Sequence, residues 1–103
     1  MNSPEYEPFQ TGVTMAKPWF LYLIECSDGS IYTGIAVDVE ARFAAHRKGT
    51  GARYTRSHPP VRLLAFEAHP DRSSAAQAEH RVKRLTAADK RRFAASLANP
   101  ASD

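Results

Sequence analysis

Residues Trp19 to Cys26 read Trp-Phe-Leu-Tyr-Leu-Ile-Glu-Cys, an apolar run interrupted only by Glu25. A strand with one wet face alternates apolar and polar residues. A run without alternation is apolar on both faces, so it belongs at the centre of a sheet covered from both sides. Ser27-Asp28-Gly29-Ser30 is a turn signal and Ile31 to Val37 reads as a second strand, so the two form a β-hairpin.

Asp38 can N-cap a helix from Val39 to about Lys48, with Val39 and Phe43 on one face and Gly49 and Gly51 ending it. Gly49 to Pro60 reads as a polar, basic loop and Val61 to Ala68 as a third strand. Ser73 or Ser74 caps a second helix running to about Leu85, with Ser74 and Gln77 in capping-box spacing. Thr86 and Asp89 repeat that pattern before a third helix ending near Leu97. The expected order is ββαβαα, a small α/β (α+β) sandwich around an antiparallel sheet. Residues 1–18, with Pro4, Pro8 and Pro18, are expected to be a flexible N-terminal tail. Residues 19–98 form the domain, and residues 99–103 a C-terminal tail.

Composition excludes several classes. At 103 residues, 43 % apolar and 24 % charged, the chain is one ordinary domain and not globally disordered. Trp19 to Ile24 falls far short of the ~20 residues of a membrane span. No basic-then-apolar signal peptide opens the chain, so the expected compartment is the cytoplasm. The single Cys26 rules out an internal disulfide, zinc fingers and ribbons, and CxxC redox chemistry. His46, His58, His69 and His80 show no HExxH-like spacing.

The net charge of +3 is modest, but its distribution is uneven. Ala41 to Leu64 contains no acidic residue and holds Arg42, Arg47, Lys48, Arg53, Arg56 and Arg62. A second cluster holds Arg81, Lys83, Arg84, Lys90, Arg91 and Arg92. Such segregation suits a phosphate backbone, or else two solvated helix faces.

Four features could carry chemistry. Glu79 lies on or beside the apolar stripe Ala75, Ala78, Val82 and Leu85. A carboxylate there needs a cation, a structural ion pair with a nearby arginine, or an edge position from which it reaches water. Arg42 and His46 stand at i and i+4 on one helix face, either a phosphate clamp with a proton-transfer partner or a solvent-facing pair. Tyr22 and Tyr32 lie mid-strand. A two-residue hairpin loop would put them on opposite faces. An odd-length loop would put them on one face, with Tyr32 opposite Cys26. The segment Gly49 to Arg56 offers backbone N–H groups, Arg53, Arg56 and the aromatic Tyr54 to a phosphate and a base, or is merely an exposed loop.

Taken in order, Leu21-Tyr22-Leu23-Ile24, Ile31-Tyr32-Thr33-Gly34-Ile35, Arg42 with His46, and then Glu79 resemble the GIY-YIG nuclease superfamily across Trp19 to Leu85. The chain is most similar to the small stand-alone bacterial members, through its Trp-Phe-x-Tyr, Tyr-Thr-Gly, Gly-Ala-x-Tyr-Thr and Ala-Glu-x-Arg-Val-Lys segments. The resemblance implies a three-stranded antiparallel sheet flanked by helices and metal-dependent cleavage of DNA phosphodiester bonds, in repair or recombination. Glu79 would hold Mg²⁺ (or Mn²⁺), which would satisfy the misplaced carboxylate. Arg42 would stabilise phosphoryl charge. Tyr22 or Tyr32 would help deprotonate the attacking water, and His46 could share that task. Arg47, Lys48, Arg53, Tyr54, Arg56, Arg81 and Lys83 would bind the DNA. Both tyrosines must then share one cleft, which selects the odd-length loop.

The chain departs from the pattern at Ile35, where some members carry lysine, and at Arg91 and Arg92, where some carry asparagine. No second domain is expected to read DNA sequence, so specificity would be weak, structure-directed or supplied by a targeting or repair partner. The alternatives are a DNA-binding module of the same fold without turnover and a protein-interaction domain with a basic face.

Overall fold

The structure, a computed structural model, describes residues 17–98. The expected tails lie outside these residues, apart from Lys17 and Pro18. The elements are β1 (Trp19–Cys26), β2 (Ile31–Ala36), α1 (Val39–Lys48), α2 (Arg53–Ser57), β3 (Pro60–His69), α3 (Arg72–Lys83) and α4 (Ala87–Ala98). The order is therefore ββααβαα. The stretch expected as a loop contains a helix, α2, too short for its five residues to show a helical period.

The sheet runs β2-β1-β3, antiparallel throughout, and the two-sided apolar strand is indeed the central one. One face carries Leu21, Leu23, Ile31 and Ala65 against Ala78 and Val82 of α3 and Ala94 of α4. The other carries Tyr22, Ile24, Cys26 and Ala36 against Val39 and Phe43 of α1. Leu21, Leu23 and Ile24 are all 0 % exposed. Each such side chain stabilises the fold by about 1.5–3 kcal/mol relative to leaving it in water. Cys26 belongs to this core, and burial pushes its thiol up.

The hairpin loop has three residues, Ser27, Asp28 and Gly29. It is closed by Cys26 N–H donating to Ser30 O at 2.9 Å, with Gly29 at φ 88°. A left-handed residue at this place is usual in three-residue hairpins, and glycine takes it without strain. Odd length gives the register Tyr22↔Gly34 and Ile24↔Tyr32, so both tyrosines point to the α1 face. The expected pairing of Tyr32 with Cys26 is corrected to Ile24, because Cys26 is used to close the loop.

The helix caps are local and mostly as read. Asp38 Oδ1 accepts from Ala41 N at 3.0 Å, and Gly49 (φ 82°) ends α1 in the left-handed conformation. Thr86 Oγ1 accepts from Asp89 N at 3.1 Å. The cap of α3 is Asp71, not Ser73 or Ser74, since Asp71 Oδ1 accepts from Ser74 N at 2.8 Å. The helix stops at Lys83, so Leu85 leaves the apolar stripe and is 38 % exposed.

Glu25, the single charge in the central run, is an anchor. It accepts from Arg62 at 2.7 Å and from Arg91 at 2.9 Å, and these two guanidiniums, Arg62 first, hold its carboxyl below the usual range. Arg91 also donates to Gly29 O at 2.7 Å, which ties α4 to the hairpin. Arg92 pairs with Asp89. The second basic cluster is therefore not one free surface, because part of it is used inside the fold.

Replacing Asp71 by Ala should lower unfolding free energy by about 1 kcal/mol, the usual cost of a lost N-cap. Ser73→Ala should leave it unchanged. Urea denaturation of the two variants distinguishes the caps.

Candidate active site

Gly34 makes room for Tyr22. A Cβ at position 34 would stand 2.5 Å from the Tyr22 hydroxyl oxygen, 2.7 Å from its Cζ and 3.0 Å from Cε2 of Tyr32. The glycine of the second motif is thus the slot in which the tyrosine of the first motif lies. Tyr22 is 1 % exposed, and its ring centroid is 6.2 Å from that of the half-buried Tyr32.

A phenol buried this deeply needs a partner. Its hydroxyl lies 2.9 Å from Nε2 of His46, which α1 brings to the same face of the sheet and which is 0 % exposed. On the far side of the ring, Nδ1 lies 2.7 Å from Thr55 Oγ1 in α2, and that hydroxyl donates to Ala52 O at 3.0 Å. A threonine hydroxyl has one proton. If it goes to Ala52 O, then Oγ1 accepts from Nδ1–H, Nε2 is bare, and Tyr22 donates to it. The competing arrangement uses the longer 3.4 Å approach of Ala52 N–H to Nδ1 and takes the threonine proton away from Ala52 O. The shorter bonds select the first.

The electrostatics agree. Burial, with Arg42 adding to it, holds the His46 pKa below the ordinary value of 6.5, so the ring is a neutral acceptor at pH 7. Burial pushes the Tyr22 phenol well above its ordinary range, the nearby Tyr32 adds to this, and Arg42 opposes it. Gly51 packs so closely on the His46 ring that a Cβ there would overlap Nδ1.

The Arg42–His46 pair is split by the fold. Both lie on α1, but His46 is buried while Arg42 is exposed. Arg42 lines a cleft of about 520 Å³ with Trp19, Ile35, Val37 and Asp38, on the β2 side of the sheet.

Glu79 approaches from α3, which covers the opposite face of the sheet. It borders the buried Ala75, Ala78 and Val82, its side chain is 22 % exposed, and its carboxylate is paired with Lys83 one turn on at 3.2 Å. Lys83 in turn lines a cavity of about 280 Å³ with Tyr32, Thr33, Tyr54 and Lys90. Side chains from both faces of the sheet therefore converge on its β2 edge. No hydrogen bond or ion pair among the described residues joins Glu79 directly to Arg42 or to either tyrosine. Nor do the described residues hold a cluster of three or more His, Cys, Asp or Glu side chains.

The candidate DNA-binding residues are distributed unequally. Arg53, Tyr54 and Arg56 are exposed together on α2. Tyr54 is stacked on His58 at 3.9 Å and on Tyr32 at 6.0 Å between centroids, so α2 continues the aromatic row of the site. Arg47 and Lys48 are exposed in the last turn of α1, with Arg47 5.8 Å over the Phe43 ring. Arg81 is exposed on α3.

The sequence gives Thr55, Gly51 and Thr33 no individual role in the site, and it marks Lys90 only as one member of a basic cluster. The signal for the first two was present in Gly-Ala-x-Tyr-Thr, but a threonine in a short basic segment has no period to mark it as buried.

Residues 18–92 match the model of the GIY-YIG catalytic domain. A UPF0213 protein of Xanthomonas axonopodis pv. citri is 58 % identical over 74 residues, 72 % of each chain. A UPF0213 protein of Cupriavidus pinatubonensis is 49 % identical over 88 residues, 85 % of this chain and 98 % of that one. The solution NMR structure of the protein EF2693 from E. faecalis, 36 % identical, covers 76 % of this chain and 83 % of its own with a TM-score of 0.52. By motif order, fold and sequence alike, the chain belongs to the GIY-YIG catalytic domain family.

Proposed function

We propose that residues 19–98 form a divalent-metal-dependent endonuclease that hydrolyses phosphodiester bonds in DNA with weak or structure-directed specificity. The observation that carries this reading is the buried chain Tyr22–His46–Thr55, which ends beside Tyr32 and Arg42 at the sheet edge. A proton acceptor held neutral, behind a phenol and beside a guanidinium, suits removal of a proton from water next to an anionic substrate.

Glu79 fits a cation. It is a single, partly exposed carboxylate, and Mg²⁺ commonly takes one or two carboxylates and fills its other positions with water and substrate phosphate. When bound, the metal supplies Lewis-acid charge at the phosphoryl oxygens. Arg42 adds a second positive charge and two parallel donors for those oxygens. As the water oxygen bonds to phosphorus, its proton passes to the Tyr32 phenol oxygen, the Tyr32 proton passes to the Tyr22 oxygen, and the Tyr22 proton passes to Nε2 of His46. His46 then carries the positive charge, steadied by Nδ1–H on Thr55. The bond from phosphorus to the leaving oxygen breaks, and that oxygen takes a proton from solvent. Tyr22 is a link in this transfer and not a standing phenolate, because its burial favours the protonated form.

A cytoplasmic role in DNA repair or recombination, with a partner protein supplying the target, extends the same reading. No helix among the described residues is long and apolar enough to cross a membrane. The second reading is a DNA-binding module without turnover, and the pairing of Glu79 with Lys83 favours it.

Nicking of supercoiled plasmid with Mg²⁺, Mn²⁺ and EDTA separates the two. Glu79→Gln should lower metal-dependent nicking by at least about a hundredfold, the scale of losing one electrostatic contact to the transition state. Its DNA affinity in EDTA should not fall. Nicking by the variant at the wild-type rate sinks the mechanism, and no nicking by wild type with either metal leaves the binding module.

The pH dependence follows from His46. Its folded pKa is depressed, so the unfolded chain takes up a proton near pH 6.5 that the folded one refuses. Stability should therefore fall as pH drops through about 6.5 toward the lower folded value, and His46→Gln should flatten that slope in urea titrations at stepped pH. The acid limb of the cleavage rate should have its midpoint below 6.5.

Thr55→Val keeps the shape and removes the partner of Nδ1. Single-turnover cleavage should slow by roughly ten- to a hundredfold, as when the group orienting a functional histidine is removed, and Thr55→Ser should restore most of it.

A further inference from the structure

Thr33 lies between Tyr32 and Gly34 in β2 but faces the opposite side of the sheet. It is 2 % exposed, and its Oγ1 has no hydrogen-bond partner among the described residues. Leaving a buried hydroxyl unpaired is unfavourable, and native structures rarely do so without a reason. Thr33 lines the 280 Å³ cavity at the β2 edge with Tyr32, Tyr54, Lys83 and Lys90.

Two helices bring ammonium groups to this cavity. Lys83 comes from α3, paired with Glu79 at 3.2 Å, and Lys90 from α4, donating to Ile31 O at 3.3 Å. Burial, with the charge of Lys83 adding to it, holds the Lys90 pKa below the ordinary lysine value. Glu79 can offset only one of the two cations. An oxyanion placed between them would accept from both ammoniums, and such charge-assisted bonds are the strong ones; a turn about the Thr33 Cα–Cβ bond would bring the enclosed, unpaired hydroxyl round as a third donor. The volume lies near the ~300 Å³ lower end of small-ligand pockets, enough for a phosphate and part of its nucleotide. The faces of Tyr32 and Tyr54 suit the sugar or base.

We propose that Lys83, Lys90 and Thr33 hold a phosphate of the bound nucleic-acid strand next to the one that is cut. The identity of the strand rests on the nuclease reading above, while the anion site itself does not.

The test uses the full chain in EDTA. With inorganic phosphate as the probe, NMR titration should give saturable shifts at Thr33, Lys83 and Lys90, and these should be lost in Lys90→Gln. Salt titration of duplex affinity by anisotropy should show the slope of log K against log salt reduced by about one in Lys83→Gln and in Lys90→Gln. Arg72→Gln removes the same charge at the other end of α3 and should leave the slope unchanged. Thr33→Val should weaken phosphate binding without lowering Tm, which keeps the site testable if Lys90→Gln fails to fold. Phosphate shifts centred elsewhere, unchanged slopes in the lysine variants, or an equal change in Arg72→Gln would overturn the proposal. Because no arm depends on cleavage, these outcomes are separate from those of Glu79→Gln.

Discussion

β1 has no side that faces water. Leu21 and Leu23 fill one face of the sheet and Tyr22 and Ile24 the other, all at 1 % exposure or less. A phenol in the middle of such a strand cannot be left to solvent. Its oxygen has to find a protein partner, and it finds His46. The imidazole is then buried too and needs a partner for its second nitrogen, which Thr55 provides from α2. One buried polar atom thus obliges the next, from the central strand through α1 to the short helix beyond it. Networks of this kind hold a single arrangement because any member left unpaired is strongly disfavoured. Two glycines complete the fit, since Gly34 and Gly51 stand where a methyl group would strike Tyr22 and His46.

The parts legible in the sequence were those governed by local physics. Two-sided apolarity placed Trp19–Cys26 at the centre. Asp38, Gly49 and Thr86 marked helix ends because capping acts within three or four residues. Parity alone put Tyr22 and Tyr32 on one face once an odd loop was chosen. What escaped was decided by tertiary partners. The i, i+4 spacing of Arg42 and His46 says that they share a side of the helix, but only the sheet decides that the imidazole is inside and the guanidinium outside. Helix α2 leaves no mark in the sequence because its five residues owe their order to Thr55 bonding inward. Asp71, Ser73 and Ser74 are all good caps by residue type, and the entry of the chain from β3 makes Asp71 the one used.

Charge shows the same division between sequence and fold. The basic cluster on α3 and α4 looks uniform when written out, yet its members have different tasks. Arg91 locks α4 to Glu25 and the hairpin, Arg92 stays within its own helix, and Lys83 and Lys90 turn toward the β2 edge. By contrast, α2 presents Arg53 and Arg56 outward beside the stacked Tyr54 and His58. The β2 edge therefore has the aromatic row of Tyr32, Tyr54 and His58 on one flank and ammonium groups on the other.

Hairpin tips are ordinarily where chains best tolerate insertions and deletions. The Ser27–Gly29 tip should be an exception of an unusual kind. Adding or removing one residue there reverses the facing of all of β2, carrying the Tyr32 ring to the α3 side and delivering Thr33 and Ile35 to the place it left. A change of two residues preserves the facing and merely slides it. Length variation among natural relatives at this tip should thus come in steps of two.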